Sequence, residues 1–167
     1  MIAAVDGAAA GAGFSLALSA DFVLATPRAW FNMSFLKVGL VPDVGALFTL
    51  PRVVGVQRAK EIMLSARDID AQEALRLGIV MELHESDQLL PRAQAMARSF
   101  VGASPAAVAL IKRSLGTALG GGLQDMLTSE AQAQSLAAGT DEHREAVNRF
   151  LTKQPPLFAW PAQDKQP

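Results

Sequence analysis

The chemistry that this chain could perform begins in its first twenty residues. A short apolar segment, residues 2–5, is followed by a turn containing Gly11, Ala12 and Gly13, and then by an Ala- and Leu-rich segment. Glycine lets a backbone approach a ligand closely, and the first N–H groups of a helix have no partner within that helix. The pattern predicts a strand, a turn and a helix over residues 12–20, whose first backbone N–H groups can bind a carbonyl or phosphate oxygen.

Asp43 is a carboxylate whose sequence position allows two different roles. It follows a Gly-Leu-Val-Pro turn and precedes a predicted helix near residues 44–50. Two interpretations of this aspartate stay open, a side-chain N-cap for the helix and a catalytic acid or base. Phe35, Val44 and Phe48 are expected to enclose its carboxyl group.

Two other kinds of site are disfavoured by the residue types present. A dinucleotide-binding loop needs a third glycine three positions after the second, and that position is Leu16. Ser15 has no histidine near it in sequence, so a serine nucleophile is not expected. His84 and His143 lie in polar surroundings, apart from carboxylates at ligand spacing, and we expect surface histidines and no metal site.

Composition narrows the function classes further. The chain has 167 residues, half of them hydrophobic and 19% charged, with a net charge of −1, so it can bury a core. This balance gives no sign of a nucleic-acid or membrane partner. The chain has no cysteine, which excludes disulfides and thiolate sites and fits a cytoplasmic protein.

The predicted secondary structure changes near residue 87 from alternating strands and helices to helices alone. Before it, apolar strands alternate with helices; after it, apolar residues recur at helical spacing. Strands are predicted at residues 1–6, 22–25, 29–31 and 79–83, and helices at 12–20, 44–50, 57–65, 71–77, 87–101, 105–119, 123–138 and 141–152. Pro51 is expected to break the second helix in this order, 44–50, and Asp70, Ser104 and Thr140 to cap later ones.

Several motifs in this order resemble the crotonase superfamily, the enoyl-CoA hydratase/isomerase family. They are Ile2-Ala3-Ala4-Val5-Asp6-Gly7 with Gly11-Ala12-Gly13, Ala29-Trp30-Phe31 through Val38-Gly39-Leu40-Val41-Pro42, Leu50-Pro51-Arg52-Val53-Val54-Gly55, and Asp70-Ala71-Gln72-Glu73-Ala74 with Leu77-Gly78-Ile79-Val80. The resemblance implies an α/β crotonase fold. Residues 1–86 would form the C-terminal part of a ββα spiral, residues 87–155 a helical trimerisation region, and residues 156–167 an irregular tail.

The resemblance also implies an acyl-CoA thioester as substrate, with coenzyme A part of the substrate and no separate cofactor. The backbone N–H of Ala12 occupies one of two positions that hold the thioester oxygen while negative charge develops on it. Glycine is usual there, but alanine keeps the N–H group. Gly11, Gly13 and Phe35 would line the substrate site, and Phe150 and Lys153 match residues that reach the coenzyme A of a neighbouring subunit. The expected assembly is a homotrimer or hexamer.

Two departures from the hydratase pattern favour an isomerase. Hydratases of this family carry glutamates at the positions that are Ser15 and Phe35 here, and neither residue can act as an acid or base. Some isomerase branches place an acidic catalytic residue at the position of Asp43, and the surrounding sequence most resembles the epoxyphenylacetyl-CoA isomerases. The prediction is an acyl-CoA isomerase; the alternatives are a hydratase-like lyase and an inactive family member with a structural role.

The first half of the family pattern has no counterpart in this sequence. That half would contribute the other oxyanion donor and much of the coenzyme A nucleotide site. A protein that began at Met1 is therefore expected to turn over acyl-CoA poorly.

Overall fold

The computed structural model describes residues 1–162 and is a mixed α/β structure. Its backbone contacts divide the chain into two compact units, Met1–Ala97 and the residues from Arg98 onward. The predicted division at residue 87 into core and trimerisation region stays a prediction, because it concerns contacts between subunits. Residues 163–167 of the predicted tail lie outside the described residues, and residues 156–162 form no helix or strand.

Six short strands form two three-stranded sheets in the first unit. In chain order they are β1 (Ile2–Val5), β2 (Ala8–Ala10), β3 (Phe22–Ala25), β4 (Trp30–Asn32), β5 (Ile69–Asp70) and β6 (Glu82–Leu83). One sheet has the order β1-β3-β6 with parallel pairs, and the other has the order β2-β4-β5, in which β2 and β4 are parallel and β4 and β5 antiparallel. The first two passes of the chain, β1-β2 and β3-β4, each contribute a strand to one sheet and then a strand to the other, in agreement with the ββα prediction. The last two strands join the sheets in the opposite order, with a helix between them.

Five α-helices connect or follow these strands. They are α1 (Ala12–Leu18), α2 (Ala46–Val54), α3 (Val56–Ser65), α4 (Ala71–Arg76) and α5 (Ser86–Ser99), and a short 3₁₀ helix spans Ser34–Val38. The predicted cap of α4 is confirmed, since the Asp70 side chain accepts a 2.7 Å hydrogen bond from the Glu73 N–H. The sequence pattern therefore located this helix start correctly.

Three predicted boundaries were wrong. The strand Ala8–Ala10 was interpreted as part of the turn, because alanine and glycine have low strand propensity and only pairing with β4 makes the segment extended. Pro51 was expected to break its helix but lies inside α2. A proline removes only one helical hydrogen bond, and the helix continues for three residues and ends at Val54. The strand predicted over 79–83 is only β6, because the N–H groups of Ile79 and Val80 both donate to the Ala74 carbonyl in a turn after α4.

The core of the first unit packs α1 against the second sheet. Phe14 of α1 and Phe31 of β4 are both fully buried, with ring centroids 5.2 Å apart. Met33 and Leu50 are fully buried in the same cluster. Burial of side chains of this size contributes roughly 1.5–3 kcal/mol each. Close packing in the core therefore holds the start of α1 in place.

A buried ion pair joins β6 to α5. The Glu82 carboxylate accepts hydrogen bonds of 2.8 and 2.9 Å from the Arg92 guanidinium, and both side chains are at most 10% exposed. His84 Nε2 lies 2.8 Å from the same carboxylate, so the histidine predicted to be a solvated surface residue is partly buried, with 23% of its side chain exposed. Removing one partner of such a pair leaves an uncompensated buried charge, which typically costs 3–5 kcal/mol.

The regular secondary structure of the second unit is helical over the residues described, 98–162. It contains a 3₁₀ turn at Phe100–Gly102 and helices α6 (Pro105–Ala118), α7 (Leu123–Ala138) and α8 (Asp141–Leu151). The predicted caps of α6 and α8 are confirmed, because the Ser104 and Thr140 hydroxyls accept hydrogen bonds from N–H groups three residues later.

The helices α6, α7 and α8 have no buried side chain. A groove of about 650 Å³ lies between α6 and α7. Large apolar side chains remain more than 40% exposed on all three helices: Ile111, Leu115, Leu119, Leu123, Leu127, Leu136, Val147, Phe150 and Leu151. Apolar surface of this extent marks an interaction surface in a stable protein.

The segment after α8 folds back onto the 3₁₀ turn. The Phe100 ring lies 5.6 Å from the Phe158 ring and 5.9 Å from the Trp160 ring, measured between centroids. A Cβ at Gly102 would lie 2.0 Å from the Leu157 carbonyl oxygen, so only glycine fits at this close approach. No helix among residues 1–162 is long and apolar enough to cross a membrane.

Arg67 links α3 to α4 through two glutamates. Its guanidinium donates hydrogen bonds of 2.5 and 3.1 Å to Glu61 and of 2.8 and 2.6 Å to Glu73. The hydrogen bonds from Arg67 hold the pKa of both carboxyl groups below the ordinary value of 4.5. A carboxyl group with a lowered pKa in the folded state stabilises the fold above its unfolded pKa, and this stabilisation disappears as the pH falls through the folded value.

We expect Arg67→Met to lower the free energy of unfolding by about 1 kcal/mol at neutral pH, because partly exposed ion pairs contribute roughly 0.2–1 kcal/mol each. The difference from the unmodified protein should shrink as the pH falls from 4.5 through the lowered pKa values of the two glutamates, because the folded carboxylates are protonated only at that lower pH. Urea denaturation at neutral pH and at about pH 3 measures both effects. A difference that stays constant over this range would show that the packing of the Arg67 side chain, and not its ion pairs, matters.

Candidate functional site

The turn at Gly11 joins strand β2 to helix α1 within a single residue. Gly11 has φ 54° and ψ −123°, a conformation that side-chain-bearing residues rarely adopt. Its N–H donates a 2.8 Å hydrogen bond to the Asn32 carbonyl of β4, and its carbonyl accepts from the N–H groups of Phe14 and Ser15. The backbone is thus fixed on both sides of the turn.

The N–H groups of Ala12 and Gly13 take no part in these bonds. Both residues are exposed, and within residues 1–162 neither N–H has a hydrogen-bond partner. Unpaired donors at the start of a helix are available to an oxygen of a ligand. This geometry agrees with what the sequence pattern led us to expect of the turn.

Ser34 and Phe35 lie beside the same turn. A Cβ built on Gly11 would lie 3.4 Å from Ser34 Oγ and 4.0 Å from Phe35 Cζ. The structure therefore places the Phe35 ring next to Gly11. The Ser15 side chain is fully buried below the turn, and its hydroxyl donates to the Gly11 carbonyl over 3.4 Å.

Asp43 lies in the turn before α2, and its side chain does not cap that helix. The N-cap position belongs to Gly45, with φ 80°, and the contact from Asp43 is made by its carbonyl, which accepts a 3.0 Å hydrogen bond from the Ala46 N–H. The capping interpretation was therefore wrong. The carboxylate is exposed and has no hydrogen-bond partner within residues 1–162. Val44 next to it has φ 50°, an unusual conformation for a β-branched residue.

The expected enclosure of Asp43 by apolar side chains is not present in these residues. Val44 is 48% exposed and Phe48 is 51% exposed. The Arg52 guanidinium lies 3.3 Å from the centroid of the Phe48 ring, so one face of this ring carries a cation. The segment around Asp43 is nevertheless an apolar surface, with Leu36, Val38, Leu40, Val41 and Leu47 all about half exposed or more.

The remaining predicted site residues belong to the second unit. Phe150 on α8 is 82% exposed, and Lys153 follows the helix with φ 56°. Both residues are exposed within their own unit. Among residues 1–162, no group of histidine, aspartate and glutamate side chains is arranged to hold a metal ion.

Asn32 is a residue that sequence reasoning missed. It is 2% exposed, and its side-chain amide donates hydrogen bonds of 2.9 Å to the Ala66 carbonyl and of 2.5 Å to Asp68. The sequence signal that could have identified it is a polar residue between two large apolar ones, Phe31 and Met33, both of which are fully buried.

Comparison with known proteins agrees with this arrangement. The family model described as enoyl-CoA hydratase/isomerase matches residues 1–161. A probable enoyl-CoA hydratase of Rhodobacter capsulatus is 39% identical over 95% of this chain and 62% of its own length. The 1,2-epoxyphenylacetyl-CoA isomerase of Escherichia coli is 37% identical over 95% of this chain and 60% of its own length.

Solved structures agree in fold. An enoyl-CoA hydratase/isomerase from Cupriavidus metallidurans is 54% identical, with a TM-score of 0.94 over 98% of this chain and 62% of that one. One from Mycobacterium abscessus is 34% identical, with a TM-score of 0.90. The chain thus spans about three fifths of the length of these relatives. On these matches and on its ββα architecture, the chain belongs to the enoyl-CoA hydratase/isomerase family of the crotonase superfamily.

Proposed function

We propose that the protein containing this chain is an acyl-CoA isomerase, in which the Ala12 N–H binds the thioester oxygen and Asp43 transfers the proton. The observation that carries the proposal is the placement of acidic groups. The positions at which hydratases of the family carry glutamates are Ser15 and Phe35, whereas Asp43 is an exposed carboxylate without a partner among residues 1–162. Asp43 is therefore the acid or base that this part of the site offers.

The chemistry follows from the weak acidity of a proton next to a thioester carbonyl. Its removal places negative charge on the thioester oxygen. A hydrogen-bond donor stabilises that charge most when the fold already holds it in position. One such donor is worth roughly 3–4 kcal/mol. The Asp43 carboxylate accepts the proton from one carbon and returns it to another, so the double bond moves and no atom is gained or lost.

The neighbouring residues supply binding surface in this proposal. Gly11 and Gly13 leave the turn open to the thioester, and Phe35 offers an apolar ring beside it. Phe150 and Lys153 bind the coenzyme A moiety of the neighbouring subunit; their exposure on the second unit supports this. Coenzyme A is part of the substrate, and no further cofactor is required. The cysteine-free composition supports a cytoplasmic location.

Hydration is the second candidate activity. It is favoured by the name of the Rhodobacter capsulatus relative, a probable enoyl-CoA hydratase. The name of the Escherichia coli relative, 1,2-epoxyphenylacetyl-CoA isomerase, supports the isomerase and suggests an aryl-acyl substrate. The two activities are separated by assaying a 3-enoyl-CoA for isomerisation and a 2-enoyl-CoA for water addition.

We expect Asp43→Asn in the intact protein to lower kcat for isomerisation of a 3-enoyl-CoA about 100- to 10,000-fold, because an amide cannot accept the proton. Thermal melting should be unchanged, since the Asp43 side chain makes no hydrogen bond among residues 1–162. Ser15→Ala is the matched control and should keep kcat, because its hydroxyl makes only a long 3.4 Å bond to the Gly11 carbonyl, and backbone hydrogen bonds also hold that turn. Asp43→Asn with more than about a tenth of the original rate would remove Asp43 from the mechanism.

We expect Ala12→Pro to lower kcat about 100- to 1,000-fold, because it removes the donor N–H alone. Ala12 is the first residue of α1, a position where proline fits a helix. Ala12→Gly keeps the N–H and should keep the activity. Steady-state kinetics on the same 3-enoyl-CoA, with circular dichroism of each variant, gives the answer; equal rates for the proline and glycine variants would contradict an oxyanion role.

The protein is also proposed to assemble as a homotrimer or hexamer. The exposed apolar side chains of α6, α7 and α8 support this assembly, because a second subunit would remove them from water.

Sedimentation equilibrium of the intact protein should therefore give three or six times the protomer mass. Leu115→Glu should shift the equilibrium toward monomers, because it places a charge on this apolar surface, whereas Arg113→Glu on the same helix should not. Both residues are exposed, so neither substitution disturbs the fold of the single chain. A compact monomer at micromolar concentration would contradict the proposal.

A further inference from the structure

The backbone of Asn32 holds the turn that carries the proposed donor. The Gly11 N–H donates to the Asn32 carbonyl over 2.8 Å, and Gly11 is directly followed by Ala12. The residue pair Ala10 and Asn32 is also the last register position between β2 and β4. A shift of the end of β4 would therefore move the Ala12 N–H with it.

The side chain of Asn32 fixes this end of β4 to the loop after α3. Its Nδ2 donates to the Ala66 carbonyl over 2.9 Å and to Asp68 Oδ1 over 2.5 Å. Ala66 ends α3 with φ 47°, and Asp68 immediately precedes β5, the antiparallel partner of β4. The amide thus ties together β4, the loop after α3 and the start of β5.

The arrangement leaves one polar atom without a partner. Asn32 Oδ1 is buried and has no hydrogen bond among residues 1–162. A buried unpaired oxygen destabilises a fold, so an apolar side chain at this position could serve stability alone equally well. What an apolar side chain cannot supply is the pair of donor bonds that fix the position of the strand end.

We propose that Asn32 is a positioning residue for the oxyanion turn: its side-chain amide, anchored on Ala66 and Asp68, sets the position of the carbonyl that holds Gly11 and thereby aims the Ala12 N–H. The inference rests on the isomerase proposal for its kinetic consequence. The structural consequence, a protected Gly11 amide, is independent of it.

The test uses the intact protein with Asn32→Asp, which keeps the size of the side chain, removes the donor and places a carboxylate against Asp68. We expect kcat for a 3-enoyl-CoA to fall about 10- to 100-fold with KM little changed, because a small misplacement of a catalytic group has an effect of this size. The double variant Asn32→Asp with Asp68→Asn exchanges donor and acceptor and should recover a large part of kcat. Without recovery, the bond between these two side chains does not set the turn.

A matched control separates positioning from loss of stability. Glu82→Gln breaks the buried ion pair with Arg92, so it also lowers the melting temperature, but Glu82 makes no bond to the Gly11 turn in the described residues. It should leave kcat near the original value at a temperature where both variants are folded. An equal loss of kcat in both variants would overturn the positioning role.

Hydrogen exchange gives a readout that does not depend on the reaction. The Gly11 amide should exchange at least ten-fold faster in Asn32→Asp than in the unmodified protein, whereas Glu82→Gln should leave its exchange close to the original rate. An unchanged Gly11 amide in Asn32→Asp would overturn the inference even if activity fell. If the unmodified protein did not isomerise a 3-enoyl-CoA, the isomerase proposal alone would fail, and the exchange result would still decide the role of Asn32.

Discussion

The hydrogen bond from the Gly11 N–H to the Asn32 carbonyl is the interaction on which the candidate site depends. The chain must change from strand to helix between Ala10 and Ala12, and the one residue between them takes a backbone conformation that requires glycine. Ala12 and Gly13 lie in the first turn of α1 and are exposed, and their N–H groups have no partner within residues 1–162. The site is therefore made by backbone geometry, and the identity of the side chain at position 12 matters little to it.

The two interleaved sheets make that geometry possible. Strand β4 lies between β2 and β5, so the carbonyl that holds Gly11 belongs to the central strand of its sheet. The contact between Phe14 and Phe31 packs α1 onto the same strand. The segment around Asp43 differs from this packed region, because it is exposed and makes few hydrogen bonds within its own unit. A rigid donor and an exposed carboxylate are the two parts that the proposed proton transfer needs.

The two units bury apolar surface in different ways. The first unit has a dense core, a buried ion pair at Glu82 and Arg92, and an ion-pair link at Arg67 between α3 and α4. The helices of the second unit bury no side chain fully, and their largest apolar groups are exposed. Helices with such faces gain stability by packing against other surfaces and gain little from helix propensity alone. This contrast is the physical reason for proposing that the chemistry lies in the first unit and that the second unit mediates association.

The sequence by itself determined features whose causes are local. Capping at Asp70, Ser104 and Thr140 depends on a side chain and an N–H three residues away, and the glycine turn depends on one backbone conformation, so both could be predicted from neighbouring residues. The tertiary structure alone decided that Ala8–Ala10 is a strand, that Asn32 lies against Ala66 and Asp68, and that the Asp43 carboxylate stays exposed while Gly45 takes the N-cap position. The first two features arise from pairing and burial between segments that are distant in sequence, and such contacts leave no periodic signal in the residues themselves. The third depends on the left-handed backbone of Gly45, which makes this residue the N-cap in place of Asp43.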